Sequence, residues 1–261
     1  MDALSLHRNI VTSYQDYIRS FVDIRDEDIR KRVEEELANG TLWPEPLIQF
    51  NPSFEKSHSI ADLVKQGVLV SKMGDVFHGY QLYTHQVQAL THGAARKSFV
   101  VTSGTGSGKS LTYIGTIFNA LFAAGHGAGT KALIVYPMNA LINSQVEELK
   151  KYARNYKTAT GQEFPIRFAA YTGQTGDDER AEIIKNPPDI LLTNYMMLEL
   201  LMTRHGEAQL RDSIFHSLEF LAFDELHTYR GRQGADVSYL IRRIRAAATH
   251  HLTAMGTSAT M

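Results

Sequence analysis

The chain has 261 residues, 27 basic and 28 acidic side chains for a net charge of −1, 43% apolar residues and no cysteine. That length suits one large α/β domain with an appendage, and the composition is that of a folded chain rather than a disordered one. Disulfides, thiol redox chemistry and cysteine-ligated zinc or iron–sulfur centres are excluded. No run of about 18 to 20 apolar residues and no apolar N-terminal block appears, so neither a membrane span nor a secretory signal is expected and the cytoplasm is the expected location.

Residues 1–60 hold eleven acids against seven bases, a local charge of −4, and the remainder is about +3. From Leu4 to Ala38 the text reads as two helices, the second opening at Asp26 with acids in its first turn and ending at Gly40, with Ile29, Val33 and Leu37 as its apolar stripe. Pro44, Pro46 and Pro52 then predict an extended stretch over 41–58. Residues 1–60 are therefore expected to be an accessory segment, and 61–261 the main domain.

After a short helix around Ile60 to Gln66, brief apolar runs alternate with helix-length amphipathic stretches. That alternation predicts a mostly parallel sheet flanked by helices. The expected strands are Phe99–Thr102, Ala132–Tyr136, Ile166–Ala170, Ile190–Thr193, Phe220–Phe223 and Leu252–Gly256. No internal repeat or low-complexity tract interrupts them.

Between the first of these runs and the helix that follows lies Ser103-Gly104-Thr105-Gly106-Ser107-Gly108-Lys109-Ser110. A strand, a glycine-rich turn and a helix start, in this order, form a phosphate-binding loop. The glycines let the backbone turn its N–H groups onto phosphate oxygens, and the helix adds its positive N-terminal end. Lys109 is expected at the β and γ phosphates and Ser110 on Mg²⁺. The strict pattern begins with glycine where this chain has Ser103, a small residue expected to fit. A flexible Gly/Ser linker is the bland alternative, but linkers rarely sit between such a strand and such a helix.

Asp224 and Glu225 close the apolar run Phe220–Phe223, where open α/β sheets present their ligand-facing residues. Asp224 would hold Mg²⁺, and Glu225 would orient and deprotonate the water that attacks the γ phosphate. His227 could relay between nucleotide and another surface. A helix cap with a first-turn acid is the alternative for the pair, and a hydrogen-bonded surface histidine for His227.

With this loop, Asp224-Glu225-Leu226-His227 and Thr257-Ser258-Ala259-Thr260 found in order, the chain resembles the first RecA-like domain of superfamily-two helicases of the DExH kind, from about residue 77 onward. The resemblance implies a P-loop NTPase that uses ATP and Mg²⁺. It also implies that Gln86 pairs with adenine while Tyr83 stacks on it, and that Ser258 and Thr260 couple the two activities. Pro137 and Asn139, then Tyr171, Thr172 and Gly173, then Thr193 and Asn194, with Arg230, would contact the backbone of one nucleic-acid strand. Strand-end turns and helix caps are the alternative for each of these positions. Backbone contacts predict weak sequence preference and salt-dependent affinity. DNA is the expected partner, and RNA stays open.

Tyr136-Pro-Met-Asn-Ala-Leu141 and Asp224-Glu-Leu-His-Thr-Tyr-Arg-Gly-Arg-Gln-Gly-Ala235 resemble large bacterial and archaeal helicases of repair and of anti-phage defence such as DISARM, and both pathways stay open. The basic stretch Arg230, Arg232, Arg242, Arg243 and Arg245 is a phosphate footprint, a partner-domain surface or a solvated helix face. A second RecA-like domain, in the same natural chain or a partner chain, is expected to supply the missing arginine finger, so this half alone would bind ATP and hydrolyse it slowly. An ATP-gated nucleic-acid clamp without motor activity and a P-loop enzyme unrelated to nucleic acid are the competing classes.

Overall fold

A computed structural model describes residues 2–21, 23–39, 54–127 and 129–259. It divides into two compact units, Met1–Ser53 and Phe54–Met261. The proline-bearing stretch lies mostly, and Thr260 entirely, outside the described residues.

The first unit contains α1 (Ala3–Phe21) and α2 (Glu27–Ala38). Asp26 caps α2, its carboxylate accepting from the N–H groups of Asp28 and Ile29, and Glu27 and Asp28 favour the same positive end. Arg32 pairs with Glu36 one turn on, at 2.8 Å.

In the second unit, β1 (Lys56–Ser59) pairs antiparallel with β2 (Gln81–Tyr83). That pairing ties residues before 60 to the main unit, so the division falls at residue 53. Between these strands lie α3 (Ile60–Lys65) and α4 (Lys72–Val76). Ser59 and Asp62 form a reciprocal capping box that starts α3. Both strands are short, and the sequence reading did not contain them.

The six remaining strands are β3 (Phe99–Thr102), β4 (Ala132–Tyr136), β5 (Phe168–Tyr171), β6 (Ile190–Asn194), β7 (Phe220–Phe223) and β8 (Thr253–Ser258). They form one sheet in the order β3-β8-β7-β4-β6-β5, every pairing parallel. Two expected strands are displaced along the chain, β5 beginning at Phe168 instead of Ile166 and β8 ending at Ser258 instead of Gly256. β8 extends because Val101 and Thr102 of β3 pair with Thr257 and Ser258.

α5 (Thr84–Ala94) leads from β2 into β3, and the crossovers that parallel strands need are α6 (Ser110–Ala124), α7 (Asn139–Thr160), α8 (Asp177–Lys185), α9 (Tyr195–Thr203) with α10 (Ala208–Ser217), and α11 (Gly231–Ala247). Side chains alternate across each strand, so β4 feeds two cores. Ile134 and Tyr136 join Tyr113, Ile117, Phe118 and Leu149 on one face. Leu133 and Val135 join Leu198, Ile214, Val237 and Leu240 on the other. Full burial of β4 and β7 is what a sheet covered on both faces requires.

Candidate nucleotide site and strand-end surface

The carboxyl ends of β3, β7 and β8 converge because these strands are parallel and in register, Thr102 beside Ser258 and Phe223 beside Gly256. The phosphate loop leaves β3 there and enters α6. Gly106 and Gly108 take φ of +76° and +68°, conformations that a side chain resists. Ser103 does fit at the loop's start, since its hydroxyl bonds across the loop to that of Ser107 and its N–H donates to the Ser258 carbonyl at 3.2 Å. Gly104 and Thr105 are exposed.

Lys109 is 7% exposed and folds back on the loop, Nζ donating to the carbonyls of Ser103 at 2.9 Å and Gly104 at 3.0 Å. An arriving phosphate would exchange two neutral acceptors for an anionic one, a stronger hydrogen bond. The N–H groups of Gly106, Ser107, Gly108 and Lys109 donate to no atom among the described residues. They are backbone donors available to an anion.

Asp224 is buried at the end of β7, and burial pushes its carboxyl pKa above the ordinary aspartate value. Hydrogen bonding from Thr257 opposes that shift, the neighbouring Glu225 charge adds to it, and Lys109 opposes it. The Thr257 hydroxyl donates to Asp224 Oδ1 and accepts from the Glu225 N–H at 3.2 Å, so one side chain on β8 clasps both acids. Glu225 has φ 51° and ψ 53°, a left-handed conformation that is strained for a glutamate. Its Oε2 is buried without a hydrogen bond, 3.2 Å from His227 Nδ1. His227 Nδ1 is also 3.4 Å from Ser258 Oγ and from Ala259 N. His227 thus stands between the acid pair and the end of β8.

A hydroxyl at Ser110 and a buried carboxylate short of counter-charge at Asp224 are hard oxygen donors of the kind Mg²⁺ takes beside phosphates. No group of three or more His, Cys, Asp or Glu side chains able to hold a metal gathers among the described residues.

Gln86 departs from the expected base-reading orientation. It is 4% exposed, its Oε1 accepts from the Tyr83 N–H at 2.9 Å, and its Nε2 donates to the carbonyls of Gly108 at 2.9 Å and Ser107 at 3.4 Å. The amide is engaged at both ends within the chain because it caps α5 and the loop passes directly over it. Tyr83 lies parallel to the His85 ring, centroids 5.8 Å apart, and Phe54 meets both rings at 5.4 and 5.7 Å. His85 Nε2 is 3.1 Å from the Ser107 carbonyl. Phe54 and His85 escaped the sequence reading, Phe54 because it lies far from the loop in sequence and His85 because only its neighbour Gln86 carried the motif.

On the strand-end surface, Asn194 Nδ2 donates to Asn139 Oδ1 at 2.7 Å, and Asn194 Oδ1 caps α9 by accepting from the Met197 N–H. Pro137 is half-buried, while Gly173 and Arg230 are exposed. Arg230 Nε donates to the His227 carbonyl at 2.8 Å, and Arg243 pairs with Glu199. Three expected contacts need correction. Tyr171 and Thr193 are each 1% exposed, and Thr172 is buried. The Thr193 hydroxyl donates to the Tyr171 carbonyl and the Thr172 hydroxyl accepts from the Gln174 N–H. These side chains knit β5 to β6 and close the turn after β5, so they do not face a bound strand.

A parallel sheet with this loop at one strand end and an acid pair at another defines a P-loop NTPase of RecA-like form. The sequence profile of the DEAD/DEAH box helicase family matches residues 83–261, and the chain belongs to that family. It is 30% identical to the uncharacterized ATP-dependent helicase MJ1574 of Methanocaldococcus jannaschii over 84% of this chain and 29% of that protein. Druantia protein DruE of Escherichia coli is 23% identical over 92% of this chain and 19% of the relative. Among solved structures, the DUF1998 helicase MrfA bound to DNA and AMPPNP superposes with a TM-score of 0.68 at 25% identity, over 87% of this chain and 31% of that one. The chain therefore spans less than a third of the length of these relatives.

Proposed function

We propose that this chain binds Mg·ATP on residues 103–110 and forms the ATP-binding half of an ATP-dependent helicase or translocase that tracks one nucleic-acid strand. The observation that carries the reading is the joint position of the anion-ready loop and the Asp224–Glu225 pair, clasped by Thr257, at neighbouring strand ends. Lys109 binds the β and γ phosphates, Ser110 and Asp224 hold Mg²⁺, and Glu225 takes the proton of the attacking water. Mg²⁺ held by Ser110 and Asp224 would offset the charge of the phosphates.

Asn139, at the start of α7, and Gly173, on the loop after β5, are the polar and backbone groups offered to a nucleic-acid strand, with Arg230 and the Pro137 turn beside them. DNA is the proposed partner, since MrfA, 25% identical, is solved bound to DNA. Likeness to DruE favours a setting in anti-phage defence, with repair as the other setting. A second RecA-like domain completes the motor.

The test is nucleotide binding and turnover in the chain alone and in a longer polypeptide that joins it to a second RecA-like domain. Lys109→Ala should abolish Mg·ATP binding, whereas Glu225→Gln should keep binding and lose turnover. Normal ATP affinity in Lys109→Ala sinks the site assignment. No turnover by the longer polypeptide with excess single-stranded DNA and RNA leaves an ATP-gated clamp.

A further inference from the structure

A phosphate loop binds anions only when its peptide planes present N–H groups to them, and glycines leave those planes free to rotate. Something outside the loop has to fix them. Each peptide unit is planar and trans, so its carbonyl and the next residue's N–H point in opposite directions. Anchoring the Ser107 carbonyl on one side sends the Gly108 N–H to the other. Anchoring the Gly108 carbonyl does the same for Lys109.

Both carbonyls are anchored from the start of α5. His85 Nε2 lies 3.1 Å from the Ser107 carbonyl, and Gln86 Nε2 reaches the carbonyls of Gly108 at 2.9 Å and Ser107 at 3.4 Å. A carbonyl only accepts, so His85 carries its proton on Nε2. A Cβ at Gly108 would stand 2.6 Å from Gln86 Nε2, so a side chain there would displace the Gln86 amide from the carbonyls it holds. The ring of His85 is itself fixed by Tyr83 and Phe54, and the Gln86 amide by the Tyr83 N–H. The N–H groups of Gly108 and Lys109, on the far side of the anchored peptide units, have no partner among the described residues.

We infer that His85 is a positioning residue for the nucleotide's phosphates: with Gln86 it holds the Ser107 and Gly108 carbonyls toward α5 and so presets the loop's N–H groups for an anion. This rests on the assignment of residues 103–110 as the nucleotide site. It gives His85 an action on the phosphates whatever base the nucleotide carries. A base-reading role would instead be confined to one nucleotide.

The experiment compares ATP, GTP and inorganic tripolyphosphate, each titrated into the chain with Mg²⁺ and followed by calorimetry. His85→Ala should weaken all three by the same factor, roughly 2- to 10-fold, as loss of one hydrogen bond requires. His85→Gln places an amide N–H at the distance of Nε2 and should restore most of the affinity, while the shorter His85→Asn should not. Adding Gln86→Ala to His85→Ala should deepen the loss for tripolyphosphate as well as for ATP. The proposal is overturned if His85→Ala weakens ATP while tripolyphosphate binds as to the wild type, if no ligand is affected, or if His85→Asn rescues as well as His85→Gln. Circular dichroism melts identify a variant that fails to fold, and His85→Gln against His85→Asn then decides. Failure of the parent assignment looks different: tripolyphosphate and ATP then bind Lys109→Ala as tightly as the wild type.

Discussion

At the scale of single residues, Asp224 is a carboxylate whose burial outweighs the groups that favour its charge. Burial raises its pKa, so the ionised form is disfavoured in the folded chain relative to the unfolded one. The sign follows: the folded chain holds the proton at pH values where the unfolded chain has lost it. Ionised Asp224 therefore costs stability above its folded pKa, and the cost fades as pH falls from that folded pKa to the ordinary value of 3.8. Without Mg²⁺, Asp224→Asn should be more stable than the wild type at neutral pH, with the gap closing in acid, as read from urea midpoints between pH 7 and about pH 4. A gap independent of pH would show that the charge is not the cause. Mg²⁺ should stabilise the wild type in the presence of nucleotide and leave Asp224→Asn much less affected.

Glu225 stores strain of a different kind. A glutamate in the left-handed region costs about 1 kcal/mol or more, and such strain persists where surrounding bonds impose it. Here the Thr257 hydroxyl holds the Glu225 N–H. Glu225→Gly should keep or raise stability by up to about 1 kcal/mol while abolishing turnover. A variant destabilised by chemical denaturation would show that the side chain, and not the backbone turn, supports the fold.

At the scale of elements, the clasp between β7 and β8 is the contact that makes two strand ends into one site. Thr257→Val keeps the shape and removes the hydroxyl, leaving the buried Asp224 without its donor. A loss of about 1 to 3 kcal/mol is expected, measured by denaturant unfolding, with a further rise in the Asp224 pKa because Thr257 is the foremost of the groups that lower it. Unchanged stability would mean that water replaces the hydroxyl at no cost. The same scale shows what the sequence made legible. Strands β3, β4, β6 and β7 were readable because each is a short run of Val, Ile, Leu or Phe, which β4, β6 and β7 need because they are buried on both faces. β1, with Lys56-Ser-His-Ser59, has no apolar pattern and exists through its partner β2. The acid pair and the loop were legible because their chemistry fixes residue type and spacing together. Tyr171, Thr172 and Thr193 misled because a strand-end threonine looks the same in sequence whether its hydroxyl faces a ligand or a neighbouring carbonyl. The role of His85 was invisible because it depends on a carbonyl 22 residues away.

At the scale of the whole molecule, the question is how much of a motor this chain contains. The phosphate loop, the acid pair and the α5 anchor lie within one unit, 54–261. No arginine among the described residues donates a hydrogen bond into the phosphate loop: Arg96 pairs with Glu219 at 2.7 Å, and Arg230 is held by the His227 carbonyl. An arginine delivered to the transition state contributes about 10³ to 10⁵ in rate to related phosphoryl transfers. The chain alone should therefore bind Mg·ATP with the affinity of a longer polypeptide in which a second RecA-like domain is joined to it, because loop binding needs no second domain. Its turnover should be lower by at least about 10³-fold. Single-stranded DNA should stimulate the longer polypeptide and leave the chain's rate almost unchanged, since a strand can reward closure only where two domains close. Steady-state phosphate release from both proteins, with and without DNA, measures this directly. Turnover by the chain within about 10-fold of the longer polypeptide would place the catalytic arginine inside these 261 residues, with the basic face from Arg230 to Arg245 as the first place to mutate.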